Sequence, residues 1–155
     1  MLEIGMTFLV CLLAIPIWMS DMVFAIPPLA QYLISAVYLA LWFVYGFVRG
    51  RNQKFGCIIF SLIFWILGFF SYLGYVGELK LLSDYFFTRF TGLGLIFGLF
   101  GLSCVNSVWG LVFLFNRIGL SDHVFVVKVL SCAVPVLMTI LGYSIGRKFA
   151  KIHVQ

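Results

Sequence analysis

The stretch VFVVKVLSCAVPVLMTILGYSIG, residues 124–146, carries a single charged side chain, Lys128, in an otherwise apolar run. Val129 to Gly146 are 18 residues, about 27 Å of α-helix at roughly 1.5 Å per residue, close to a hydrocarbon core of about 30 Å. The stretch therefore reads as a transmembrane helix bounded by Lys128 and Arg147. A helical side chain leans toward its own N-terminus, so the Lys128 ammonium can snorkel to headgroups or to Asp122. Alternatively Lys128 faces the bundle and attracts an anionic substrate or a partner's carboxylate, since it shares a helix face with Cys132, Pro135, Thr139, Gly142 and Gly146.

The rest of the chain extends this reading. Of its 155 residues 64% are hydrophobic and 10% charged, and the mean hydropathy is +1.17, against about half apolar and a quarter charged in an ordinary soluble domain. The expected fold is all-α, a polytopic integral membrane helical bundle forming one domain over residues 1–155. Its expected setting is the cytoplasmic membrane of a bacterium.

Five apolar stretches stand out, at 4–19, 28–48, 55–76, 91–115 and 124–146, separated by SDMVFAI, RGRNQK, GELKLLSDYFFTRF and NRIGLSD. Pro27 and Pro28 suit a first helical turn, and Ser83 with Asp84 and Ser121 with Asp122 suit N-caps. The pattern predicts about five transmembrane helices, or four if the N-terminal stretch does not span. That stretch is short, yet Glu3 and no Lys or Arg precedes it, and no small-x-small cleavage site follows at IPIWMSD. A retained short helix is expected rather than a signal peptide.

Helical phase singles out the candidate residues. Gln31, Ser35, Tyr38, Trp42, Tyr45 and Arg49 recur at steps of four and three along the second stretch, which sets them on one face. Cys57, Ser61, Gly68, Tyr72 and Tyr75 come close to the same spacing in the third. The fourth carries Gly94, Gly98 and Gly101 on one side and Ser103, Asn106, Ser107 and Gly110 roughly opposite, which predicts a central helix. Small residues let helix backbones approach, and hydroxyls or amides bond across for about 0.6 to 2 kcal/mol each. Gly94, Gly98, Gly101, Gly142 and Gly146 are thus candidates for helix packing or a partner interface. Gln31, Tyr38, Tyr72, Asn106, Lys128 and Thr139 are candidates for a polar path between helices.

Several function classes find no residues to carry them. The ten Lys and Arg sit at segment ends and nowhere interleave with aromatic readers, so no nucleic-acid partner is expected. Cys11, Cys57, Cys104 and Cys132 fall singly in four different stretches, without metal or thioredoxin-like spacing. His123 and His153 are the only histidines and fall on opposite sides of a five-span chain, so they share no metal and serve no triad. Glu78 and Asp84 lie in a loop whose alternating aromatics and charges suit an interfacial amphipathic segment. No catalytic residue, metal or cofactor is expected. Small multidrug transporters need an intramembrane carboxylate, and all five acids, Glu3, Asp21, Glu78, Asp84 and Asp122, lie at ends or in loops. The VNSVWG of 105–110 faintly resembles the Val-Asn-x-x-Gly element of fluoride channels, but it is one residue too long and the glycine-rich arginine signature is missing. No family is assigned.

Five alternating spans would put Arg49, Arg51, Lys54, Arg117 and Lys128 on one side and Lys80, Arg89, Arg147, Lys148 and Lys151 on the other. A positive-inside assignment needs an excess on one side, and this arrangement gives none. The lipid bilayer is one expected partner, and a membrane protein or further copies of the chain another. Two functions remain open: an accessory subunit or regulator of a larger membrane complex, and an oligomeric transporter or channel for a small solute or anion.

Overall fold

A computed structural model describes residue 5 and residues 27–76, 100, 101, 104, 105, 107–120 and 124–152. The expected first span, the N-terminal part of the fourth and the amphipathic loop lie outside these residues. The described part is helical, with α1 at Pro28–Arg51, α2 at Gly56–Val76, α3 at Trp109–Phe115 and α4 at Val124–Ile152. Three of these four helices, α1, α2 and α4, are long and apolar enough to cross a membrane.

Local chemistry sets the ends of α1. Pro28 occupies the first helical position, where its missing N–H is no loss, and Ala30 N–H donates to the Pro27 carbonyl (2.9 Å). At the C-terminus Lys54 N–H reaches back to the Arg49 carbonyl (3.0 Å) and Gln53 N–H to that of Gly50 (3.0 Å). Together they form a Schellman closure, with Gln53 at φ 55° in the left-handed position that glycine usually takes. This tight turn folds α2 back antiparallel to α1, and Tyr45 meets Phe60 while Trp42 meets Phe64 and Trp65.

α4 runs antiparallel to α2 and parallel to α1. Phe55 stacks edge-on against Tyr143 near one end, Ser61 bonds Thr139 further in, and Lys128 lies over Tyr72 near the other end. Against α1, Gly46 faces Thr139 and Gly50 faces Tyr143, while Gly142 faces Phe43 and Gly146 faces Phe47. Residue numbers rise together on the two helices, which is the mark of parallel packing. Five alternating spans would make the second and fifth stretches antiparallel, so that topology is corrected here. α2 ends and α4 begins at the same end of the bundle, and the chain joining them returns to the side it left.

Two boundaries also differ from expectation. α1 and α4 continue beyond Val48 and Gly146, to Arg51 and Ile152, because nothing in either extension breaks a helix and Lys and Arg near a C-terminus favour it. The fourth stretch is interrupted at Val108 (φ −110°, ψ 11°). Ser107 Oγ donates to the Cys104 carbonyl (2.7 Å), and Gly110 N–H donates to Ser35 Oγ on α1 (3.0 Å). Beyond α3 a wide turn, Asn116–Leu120, closes at Gly119 with φ 93°.

Aromatic side chains fill the core between α1 and α2. Trp42 is fully buried and contacts Tyr45, Phe60, Phe64 and Trp65 at centroid distances of 5.2 to 6.3 Å, within the range where offset and edge-on ring pairs add stability. Phe100 joins edge-on to Phe64 at 5.0 Å.

Candidate functional site

The site residues fall into a glycine seam and an interior with two polar pairs. The seam lies between α1 and α4. GFVRG at 46–50 and GYSIG at 142–146 each place two glycines one turn apart on one face. The position a Cβ would take on each of the four lies against a backbone carbonyl of the facing helix. Only hydrogen at Cα permits that approach, which brings Cα–H groups onto carbonyl oxygens. Gly142 and Gly146 are therefore buried within the chain against α1. Gly101 packs against the backbone of Ser71 and Tyr72 on α2. Gly94 and Gly98 lie outside the described residues.

Sequence reading overlooked Gly46, which lies off the polar stripe of the second stretch, and Gly50, which Arg49 drew into the loop RGRNQK; the two facing G-x-x-x-G spacings were the available signal. Gly68 against Cys104 and Gly110 against Gln31 and Ser35 are two further close approaches that the stripes named without assigning partners.

Three of the six candidates for a polar path, Tyr72, Lys128 and Thr139, fall into two separate pairs. Thr139 is fully buried; its Oγ1 donates to the Pro135 carbonyl (2.9 Å) and lies 3.2 Å from Ser61 Oγ. Pro135 cannot donate to the helix ladder, and the nearby hydroxyls turn to backbone carbonyls, Ser131 Oγ to that of Val127 (2.8 Å). Lys128 is 7% exposed with Nζ 5.1 Å from the centroid of the Tyr72 ring. It faces into the bundle and does not snorkel outward, and the cation–π contact is worth about 0.5 to 2 kcal/mol. Asp122, its expected counter-ion, lies outside the described residues.

The two pairs do not meet. Lys128 and Thr139 are eleven residues apart on α4, about 16 Å along the axis. Trp65 packs at the intervening level, beside Cys132 and Val136, and Trp42 stacks on it at 5.9 Å. Tyr38 is buried in the same core, and Gln31 is half-buried near the start of α1 beside Gly110. Asn106 lies outside the described residues. Among the described residues the interior is therefore blocked by aromatic rings between its polar groups.

Among the described residues, chemistry for catalysis or metal binding is sparse. No group of three His, Cys, Asp or Glu comes together among the described residues, where Cys57, Cys104 and Cys132 are buried. All five acids and both histidines lie outside those residues. On the outer surface, α2 and α4 leave an apolar groove of about 320 Å³ lined by Leu62, Ile66, Phe69, Val129, Ala133 and Leu137 among others. Comparison with family models, curated proteins and solved structures gives no match.

Proposed function

We propose that this chain is a small integral membrane interaction protein, an accessory subunit or regulator of a larger complex in a cytoplasmic membrane. One observation supports this reading above others: among the described residues, aromatic rings close the interior between its polar groups. Trp42 and Trp65 fill the level between the Lys128–Tyr72 and Ser61–Thr139 pairs, and α1 and α4 touch backbone to backbone. A bundle packed in this way leaves its outer faces as the surface on which it acts. Gly142 and Gly146 are occupied by α1, so the partner-facing surface is sought elsewhere, and the apolar α2–α4 groove offers an unfilled face.

The test is to extract the tagged chain from its own membranes in mild detergent and to determine the mass and protein content of the particle. A defined assembly with an unrelated membrane protein is expected. A monomer or homo-oligomer that conducts a solute in vesicles would overturn the reading.

Lys128 favours a second function, passage of a small anion. An ammonium held inside a membrane bundle is costly and commonly marks a substrate or ion route, and Lys128 is buried beside Tyr72. Under the interaction reading Lys128→Met leaves anion flux in reconstituted vesicles at the level of protein-free controls, as the parent does. Flux in the parent that the substitution abolishes would establish the transport reading instead.

A further inference from the structure

Parallel packing of α1 and α4 brings their C-termini to the same end of the bundle. Gly146 lies beside the backbone of Arg51, Phe47 stacks edge-on against Phe149 at 5.8 Å, and Phe55, next to Lys54, meets Tyr143. Arg49, Arg51, Lys54, Arg147, Lys148 and Lys151 therefore share that end, and all but Arg49 are exposed. The described cations toward the other end are Arg117 and the inward-facing Lys128. Lys80 and Arg89 lie outside the described residues, and even if both joined the far end the count would be six against four. The tie of the alternating arrangement is broken, and the excess assigns this end to the cytoplasmic side.

The same end has a pocket to go with its charge. Phe47 and Phe149 wall a cleft of about 200 Å³ with Arg51 and Ala150, where α1 and α4 leave the apolar zone. Two helix C-termini together contribute about one negative charge, which leaves the cluster strongly positive. Arginine beside an apolar cleft at the level of the headgroups matches a phosphate joined to an acyl chain. We propose that this end faces the cytoplasm and holds the headgroup of an anionic phospholipid, with its acyl chain against the Phe47–Phe149 cleft.

The experiment places the full chain in vesicles of phosphatidylcholine, with and without phosphatidylglycerol, and reads thermal unfolding together with lipid retained through purification. Phosphatidylglycerol is expected to raise the melting temperature and to be retained. The variant R147Q/K148Q/K151Q changes only exposed side chains and should weaken retention by roughly a hundredfold, at about 1 kcal/mol per cation and about 1.4 kcal/mol per factor of ten. Arg51→Gln should lose part of it, and Arg117→Gln at the opposite end none. Equal stability in the two lipids, or undiminished retention in the triple variant, would overturn the proposal. So would inorganic phosphate reproducing the shift in phosphatidylcholine alone, since the site would then take the anion without its chain.

Discussion

Substituting Gly142 by alanine tests the seam that sets the bundle's topology. The added Cβ would fall on the Phe43 carbonyl oxygen, with Phe47 N at 2.9 Å and the Phe43 carbonyl carbon at 3.0 Å. Every obstacle is backbone, so no rotamer change relieves it and the helices must part by about 1 Å. Overpacking of this kind costs about 1 to 3 kcal/mol, and the separation forfeits about a quarter to a half of each dispersion contact along the seam. Alanine's higher helix propensity returns about 1 kcal/mol. The net expectation is a loss of about 1 to 2 kcal/mol. Gly46→Ala should cost a similar amount, and the double variant less than the sum, because helices already parted accommodate the second methyl more easily. Gly56, whose Cβ position is open, is the control, and Gly56→Ala should be neutral or stabilising. Unfolding by sodium dodecyl sulfate in mild detergent, followed by tryptophan fluorescence, measures all four variants. If Gly142→Ala is as stable as the parent, α1 and α4 do not touch at this seam, and the parallel topology built on it falls.

Three further outcomes follow from the same contacts. Gln53→Gly should stabilise by about 0.5 to 1 kcal/mol in the same titration, since Gln53 holds φ 55° at the closure where glycine is unstrained; a loss of stability would show that the closure does not form. A double-mutant cycle over Ser61→Ala and Thr139→Ala should give a coupling near 0.6 kcal/mol, the usual size of an interhelical hydroxyl bond in a membrane, and zero coupling would mean the 3.2 Å contact is not made. An epitope tag placed after Gln155 should resist protease added to intact cells and be digested in inverted vesicles; digestion in intact cells would reverse the assigned sidedness.

The interior faces were legible because burial in a helix repeats at steps of three and four. Ser35, Tyr38, Trp42 and Tyr45 are all buried, as are Lys128, Cys132, Pro135, Thr139, Gly142 and Gly146. What escaped was the relation between helices. Counting apolar stretches treats each as one crossing, and periodicity says nothing of whether two faces meet head to head or head to tail. The break at Val108 was invisible for a related reason: it depends on Ser35 drawing the Gly110 N–H across from α1, seventy-five positions away in the chain. Charge misled at the helix ends, where Arg49 and Arg147 suggested loops although both side chains belong to continuing helices.

The seam also bears on which function suits the fold. Alternating-access transport requires helices that pack in two arrangements. Four glycines facing four carbonyls hold α1 and α4 in one register, and sliding either helix would set side chains where only hydrogen fits. The exposed Arg147 limits the depth of α4 as well, since sinking that end would draw its cation into the apolar zone. Ser61 and Thr139 then pin α2 to the same frame. A bundle constrained in register, depth and interior presents constant outer faces, which is what a subunit needs to be recognised by a partner and what a moving carrier must give up. Loss of association together with loss of stability in Gly142→Ala would tie the partner surface to this frame; association that survives would place it on elements that do not depend on the seam.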